Sequence, residues 1–478
     1  MGFLVAALME IFWAFFLVFC VGPLIVVGIV LVVAALVFHQ ERQRKAREAA
    51  VAAAARGRAD PASALRLGDC LLPMEDAFQH VLVLGSPGSG KTVLLSEVLS
   101  QLLERQAKVL VYDVKGYYIE RFYDPERGDI IFNPLDSRSV GWTLARSVRM
   151  ATDAHALAEA LIPDRPEGRM MDPYWPAAAR DVFAQAILFV ARAGGSNVDL
   201  VALLRDYEAL AEALRGTEAY YHLAGELDKQ SKGVLGLLSA QARALPYLRD
   251  SAWTPADWLA SDGPGVAFVA NTPRHAEALR PLLSVFINAL ALDVLSRPDG
   301  AGPDVWMILD EVATLHVSEA VIRLITQVRS KRASVWLASQ GLDVLADSFG
   351  RERALAVAGS TGTVIAFRLG ETDAVRWVVA RAGGEIEVSR WQASYSAPVS
   401  FSLGRPVIPY AGGHQILQRS YILWDHQVQT LPPLQAWFIR PDRFTGVLEH
   451  PYPKVILRPR DLPVVAPAFV PRDDLRVT

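Results

Sequence analysis

Val81-Leu-Val-Leu-Gly85-Ser-Pro-Gly-Ser-Gly90-Lys91-Thr92 is the stretch whose reading decides the fold. Four apolar residues lead into a glycine-rich turn. Val93-Leu-Leu-Ser-Glu-Val-Leu99 then continues with helical spacing. The pattern predicts a buried strand, a tight loop and a helix N-terminus. Gly85, Ser86, Pro87, Gly88, Ser89, Gly90, Lys91 and Thr92 fit G-x-x-x-x-G-K-[ST], a phosphate-binding loop. Glycines let the backbone N–H groups converge on phosphate oxygens, and the helix adds the positive end of its dipole. Lys91 is expected to be a surface charge facing the β- and γ-phosphates, and Thr92 a hydroxyl ligand for Mg²⁺.

Working outward, Lys108-Val-Leu-Val-Tyr-Asp113 reads as a second buried strand, with Asp113-Val-Lys-Gly116 in a ligand-facing loop at its C-terminal end. Val305-Trp-Met-Ile-Leu-Asp310-Glu311 is a third strand that runs straight into two carboxylates. That is the form of a Walker B element. Asp310 would hold Mg²⁺ through water, and Glu311 would polarise the attacking water. Val335-Trp-Leu-Ala-Ser-Gln340 ends in a glutamine that either senses the γ-phosphate or merely caps the strand. One helix carrying Arg323, Arg329, Lys331 and Arg332 is expected between these strands. Its cations are either a solvated face or the source of an arginine reaching a neighbouring subunit's nucleotide. Asp129–Asn133, Gly265–Asn271, Thr363–Arg368 and Gln435–Arg440 read as further strands, and Leu279–Leu295 as a long apolar helix. Gly383–Gln418 has little periodicity and is expected to be a long surface loop or a pair of irregular strands.

The 478 residues exceed one ordinary core. Residues 1–38 are almost wholly apolar, and Ile11–Phe38 would make a helix ~42 Å long against ~30 Å of hydrocarbon. It can span once with tilt; Gly22-Pro23 could kink it or mark a tight hairpin. A secretory signal would need a basic start and a shorter apolar run. The arginine-rich flank from Arg42 to Arg58 places everything after it in the cytoplasm. A net charge of −3 excludes a polycation, so nucleic acid would be met only through a local surface such as a pore. Cys20 and Cys70 make neither a disulfide framework nor a metal cluster.

The expected organisation is α/β: a nucleotide-binding domain split by an all-α insertion, behind an N-terminal transmembrane anchor. The anchor is 1–40 and a basic, alanine-rich linker 41–64. The nucleotide domain is 65–150 and 261–450, the insertion 151–260, and a tail without a motif 451–478. Within the insertion, helices are expected over Ala177–Arg192, Leu200–Leu214 and Lys232–Leu248.

Taken in order, several pieces resemble the conjugative coupling proteins of type IV secretion, within the wider FtsK/HerA group of P-loop ATPases. They are the loop at 85–92; Tyr112-Asp-Val-Lys-Gly116; Phe132-Asn-Pro-Leu-Asp-Ser-Arg-Ser139 with Trp142; Asp172-Pro-Tyr-Trp-Pro-Ala-Ala-Ala-Arg180; Leu279-Arg-Pro-Leu282; Ile308-Leu-Asp-Glu311; Arg329; Gln340; and Phe367-Arg-Leu369. The resemblance implies a RecA-like nucleotide domain, ATP and Mg²⁺ as cofactors, and a homo-hexameric ring at the bacterial inner membrane with its body in the cytoplasm. It implies an ATPase that recruits single-stranded DNA with its bound relaxase and drives it into the channel, beside the inner-membrane components of the secretion system. Arg329 matches the family's trans-acting arginine finger and Gln340 its γ-phosphate glutamine. Two departures stand out. The apolar stretch leaves no room for the usual periplasmic segment between two membrane helices, and Val328 and Arg332 replace the usual glycines around the finger. The alternatives are an ATPase for protein-effector export or phage assembly without DNA, and a docking receptor whose nucleotide only gates assembly.

Overall fold

The structure, a computed structural model, describes residues 63–163, 172–223, 229–315, 319–327, 329–395, 400–402, 405–407, 411–440 and 452–476. Apart from Met9 nothing before residue 63 is described, so the expected anchor and almost all of the linker lie outside the described residues.

A short antiparallel hairpin opens the described chain: β1 (Ala64–Leu67) with β2 (Cys70–Pro73). Then follow β3 (Val81–Leu84), β4 (Lys108–Asp113), β5 (Ile130–Phe132), β6 (Gly265–Ala270), β7 (Val305–Leu309), β8 (Ala333–Ser339) and β9 (Thr363–Ala366). All seven pair parallel. They are completed by β10 (Glu385–Tyr395), β11 (Ser400–Ser402), β12 (Arg405–Val407), β13 (Ala411–Tyr421), β14 (Gln435–Ile439) and β15 (Lys454–Ile456). The main sheet runs β15-β14-β9-β3-β8-β7-β4-β6-β5, with β14 and β15 antiparallel at one edge. A strand covered on both faces has no polar side to show, which is why β3 and β7 read as unbroken apolar runs and β4 and β8 as apolar at their centres.

The pleat sends alternate residues to two separate cores. Leu82 and Leu84 join a large one with the helices Ala151–Leu161, Tyr174–Arg192 and Ala276–Leu295. Val81 and Val83 join the other, with the P-loop helix (Lys91–Glu104) and the β1–β2 hairpin. Among the described residues, the chain between β5 and β6 is helical apart from its connections, and its apolar faces share the larger core with the sheet. Phe132 at the end of β5 stacks on Phe286 (ring centroids 4.2 Å apart), and Trp142 meets both edge-on. Ala276–Leu295 is long and apolar enough to cross a membrane by composition, but it is mostly buried as a core helix.

Four local expectations change. Leu200–Leu214 is two helices, Asn197–Arg205 and Tyr207–Ala213, because Asp206 turns from helix to cap and accepts from Ala209 N–H at 3.0 Å. Lys229–Gln241 is α-helical, but the last part of the predicted helix, Ala242–Tyr247, is a 3-10 turn containing Pro246. Arg323 to Arg332 is not one helix: Glu319–Gln327 ends before a separate 3-10 turn, Arg329–Lys331. The stretch expected to be irregular forms a regular hairpin, β10 pairing antiparallel with β13 from Glu385↔Tyr421 to Tyr395↔Ala411.

The residues after β15 also carry structure that no sequence pattern announced. They run as an extended strap over the C-terminal ends of β4 and β5. Val465 and Ala466 N–H donate to Glu120 O (2.7 and 3.3 Å), Ser137 N–H to Val470 O (2.8 Å) and Arg472 N–H to Leu135 O (3.1 Å).

Candidate nucleotide site

The C-terminal ends of β3, β8, β7 and β4 lie side by side, in register Leu84↔Ser339, Leu337↔Leu309 and Leu309↔Tyr112. Gly85, Gln340, Asp310 and Asp113 therefore emerge on one edge. The glutamine strand sits between the P-loop strand and the acidic strand.

The loop is tied down on both sides. Gly85 N–H donates to Ser339 O (3.1 Å) and Ser86 N–H to Arg368 O (2.9 Å). Leu434 N–H reaches Ser89 O at 2.8 Å, so the turn before β14 braces the loop from behind. Gly90 lies at φ +124° and its neighbour Phe367 would stand 3.0 Å from an added Cβ, so only glycine fits there. Lys91 is not the expected surface charge. It is buried, and its ammonium lies inside the loop on the carbonyls of Gly85 (2.5 Å) and Ser86 (3.5 Å). Burial pulls its pKa down; Glu311 and Asp310 oppose this, and Lys115 adds to it.

Thr92 Oγ1 donates to Asp310 Oδ2 at 3.1 Å, across 218 positions of sequence. Glu311 stands at φ +65°, a left-handed conformation costly for a residue with a Cβ. Its Oε2 accepts from Gln340 Nε2 at 2.9 Å. Gln340 thus turns its amide to the second carboxylate rather than to its own strand end. Lys91, Thr92, Asp310, Glu311 and Gln340 are brought together.

Arg329 is not. Its backbone precedes β8, whose seven residues separate it from Gln340 by ~23 Å at ~3.3 Å per residue. Its side chain is outside what is described. Lys331 and Arg332 are engaged beside it, with Asp299 (2.9 Å) and Asp304 (2.6 Å).

Three residues of the site edge were given no individual role in the sequence, although Asp113 and Lys115 belong to the loop expected to face ligand. Lys115 is exposed and near enough to Lys91 to affect its titration. Tyr118 is fully buried and donates its hydroxyl to Asp310 Oδ2 at 3.0 Å. Burial, then the charge of Asp310, raises its pKa well above the ordinary tyrosine value. Asp113 holds the N-terminus of the helix Tyr117–Phe122. Its carboxylate accepts from the N–H groups of Lys115, Tyr117, Tyr118 and Ile119 at 2.8–3.3 Å. The legible signal was an aspartate and a left-handed glycine, Gly116, just before an apolar turn.

Burial raises the Asp113 pKa to about 6, outweighing those four donors. A carboxylate whose folded pKa lies above its unfolded value stabilises most below the unfolded value and loses that contribution as pH rises through the folded one. Relative to Asp113→Asn, wild type should therefore gain thermal stability between pH 7.5 and pH 5. Melting curves of both proteins at the two pH values measure this; an equal or smaller difference at pH 5 would refute it.

The donors suit a hard dication. Thr92 and Asp310 offer oxygens, and Mg²⁺ commonly takes one or two such protein ligands with phosphates and water completing its shell. No all-protein cage of three or more His, Cys, Asp or Glu exists among the described residues.

Residues 64–448 match the family model described as the type IV secretion-system coupling protein DNA-binding domain. The chain belongs to this family. The coupling-protein chain is 24% identical over 425 residues to the coupling protein TraD of Escherichia coli (strain K12), covering 86% of itself and 57% of TraD. It thus spans little more than half the length of that relative. Among solved structures, its fold is similar to that of the bacterial conjugative coupling protein TrwBΔN70 in an unbound form (TM-score 0.75, 24% identity, 87% of this chain and 93% of that one). It is also similar to the plasmid coupling protein TrwB in complex with ADP and Mg²⁺ (TM-score 0.73, 24% identity, 87% and 94%). The mostly parallel α/β sheet of the coupling-protein chain is that shared fold.

Proposed function

We propose that this chain is the ATPase of a conjugative type IV secretion machine: a membrane-anchored homo-hexamer that recruits single-stranded DNA with its relaxase and pumps it into the channel. The observation that carries the reading is the convergence of Lys91, Thr92, Asp310, Glu311 and Gln340 on one sheet edge. A pure docking receptor would have no use for a carboxylate oriented by a glutamine beside a phosphate loop. ATP is the nucleotide and Mg²⁺ the metal, in keeping with the relative solved with ADP and Mg²⁺.

The loop N–H groups and Lys91 bind the phosphates; Thr92 and Asp310 hold the metal, which neutralises phosphate charge. Glu311 accepts the proton of the attacking water, and Gln340 fixes the direction in which Glu311 points. Arg329 acts on the nucleotide of the adjacent subunit. Most of the rate comes from positioning and charge stabilisation, since phosphoryl transfer asks for little covalent chemistry. Residues 1–40 anchor the ring in the inner membrane, and the insertion over 151–260 receives the substrate in the cytoplasm.

The test is steady-state ATP turnover of the full chain, extracted from membranes in detergent, with and without single-stranded DNA. Stimulation by DNA is expected. Turnover indifferent to DNA would favour protein export or phage assembly, and a purified ring without turnover would favour a docking receptor. Recovery in the soluble fraction without detergent would remove the anchor from the proposal.

A further inference from the structure

Asp310 Oδ2 accepts two hydroxyls, Thr92 Oγ1 at 3.1 Å and Tyr118 OH at 3.0 Å. They are not equivalent. Thr92 stands on the phosphate loop, where its oxygen is itself a metal ligand in the reading above. Tyr118 is fully buried on a different element, the helix Tyr117–Phe122, with its ring against Phe122 and Tyr117. Its hydroxyl is aimed at a carboxylate 192 positions away.

That helix is held from both ends. Asp113 takes up the N–H groups at its start. The strap holds its far turn through Glu120 O and presses Ala468 on Gly116, where an added Cβ would lie 2.5 Å from the Ala468 methyl. A side chain this well fixed delivers its hydroxyl to one place.

We infer that Tyr118 is a positioning residue for Asp310: its hydroxyl sets the carboxylate for the metal, and the C-terminal strap sets Tyr118. The inference rests on the ATP–Mg²⁺ reading of the same site. When the dication takes the Thr92 oxygen, Tyr118 is the donor that stays on Asp310. Outer partners of metal ligands are commonly worth 10–100-fold in metal affinity.

The experiment compares the full wild-type chain with Tyr118→Phe, which removes one oxygen and keeps the ring. ADP affinity is measured calorimetrically in EDTA, and Mn²⁺ affinity of the ADP complex by electron paramagnetic resonance. Tyr118→Phe should bind ADP without metal as wild type does and bind Mn²⁺ about tenfold more weakly. Unchanged Mn²⁺ affinity overturns the proposal, as does an equal loss of metal-free ADP binding, which would mark a structural role. If wild type itself binds ADP but no Mn²⁺, the metal reading of the site has failed and the proposal falls with it. Should Tyr118→Phe not fold, the full chain with Val465→Pro, which removes the strap N–H that donates to Glu120 O at 2.7 Å, carries the test. It keeps the hydroxyl but loosens its helix, and a smaller loss confined to Mn²⁺ is expected. Mn²⁺ affinity equal to wild type would overturn the proposal there too.

Discussion

Rings that mix Glu311→Gln subunits with Arg329→Ala subunits are expected to regain part of an ATP turnover that each variant alone has lost. Glu311 and Gln340 meet within one subunit, at the C-terminal ends of β7 and β8. Arg329 starts the other end of β8 and cannot serve the same nucleotide without the chain folding back on itself. A finger supplied across an interface is worth ~10³–10⁵ in rate. Each pure variant should therefore bind ATP and fail to hydrolyse it. In a head-to-tail ring, about a quarter of the interfaces in an equal mixture join an intact Glu311 to an intact Arg329. Recovery should approach that ceiling and should depend on protein concentration as rings form. Mixed rings that assemble but stay inactive at every ratio would remove Arg329 from the mechanism. Arg332, the neighbouring candidate, is already paired with Asp304.

Lys91→Ala should lose nearly all turnover while the protein keeps its fold. The ammonium is the cation nearest the loop's own carbonyls, and a fixed donor aimed at developing charge is commonly worth 10²–10³ in rate. Although Lys91 is buried, its removal opens little core. Its contacts are two loop carbonyls, Gly85 O and Ser86 O, beneath a crest at Pro87 and Gly88 that is open to water. Alanine also suits the first turn of a helix. The measurements are ATP turnover and a melting curve on the same preparation. Turnover like wild type would sink the phosphate-loop assignment; a collapsed melt would mean that the buried lysine holds the loop together.

The chemistry was legible where a strand buried on both faces ran into a glycine turn or a polar residue. β3 into Gly85, β7 into Asp310 and β8 into Gln340 each announce themselves by that abrupt change. Their order in the sheet was not legible, because parallel pairing leaves no turn between partners to read. The strap escaped because part of its grip joins backbone N–H and C=O groups, which carry no residue signature, and the rest needs Asp136, Arg138 and Arg472 to be brought beside their partners by the fold. Tyr118 escaped because its meaning lies in a partner that only the folded sheet brings near. The β10–β13 hairpin was legible only as one of two alternatives, a pair of irregular strands, and its regularity escaped for a different reason. It pairs with no strand of the main sheet, so nothing in the apolar runs of that sheet marked Glu385–Tyr395 as a strand. The helix ending at Gln327 was overrun because charge spacing alone continues smoothly through Arg332, whereas the backbone there turns left-handed (φ +53°).

The pairing of β3 has a consequence for how the protein is made. Its two neighbours, β8 and β9, come from the last third of the chain, Val81 lying opposite Trp336 and Thr363. On the ribosome, at about 5–20 residues per second, the phosphate loop waits on the order of tens of seconds for the strands that flank it. Until Ser339 has emerged Gly85 has no carbonyl to hold it, and until Arg368 has emerged Ser86 has none. A nascent chain therefore lacks both of these braces on its phosphate loop until most of its length has been made.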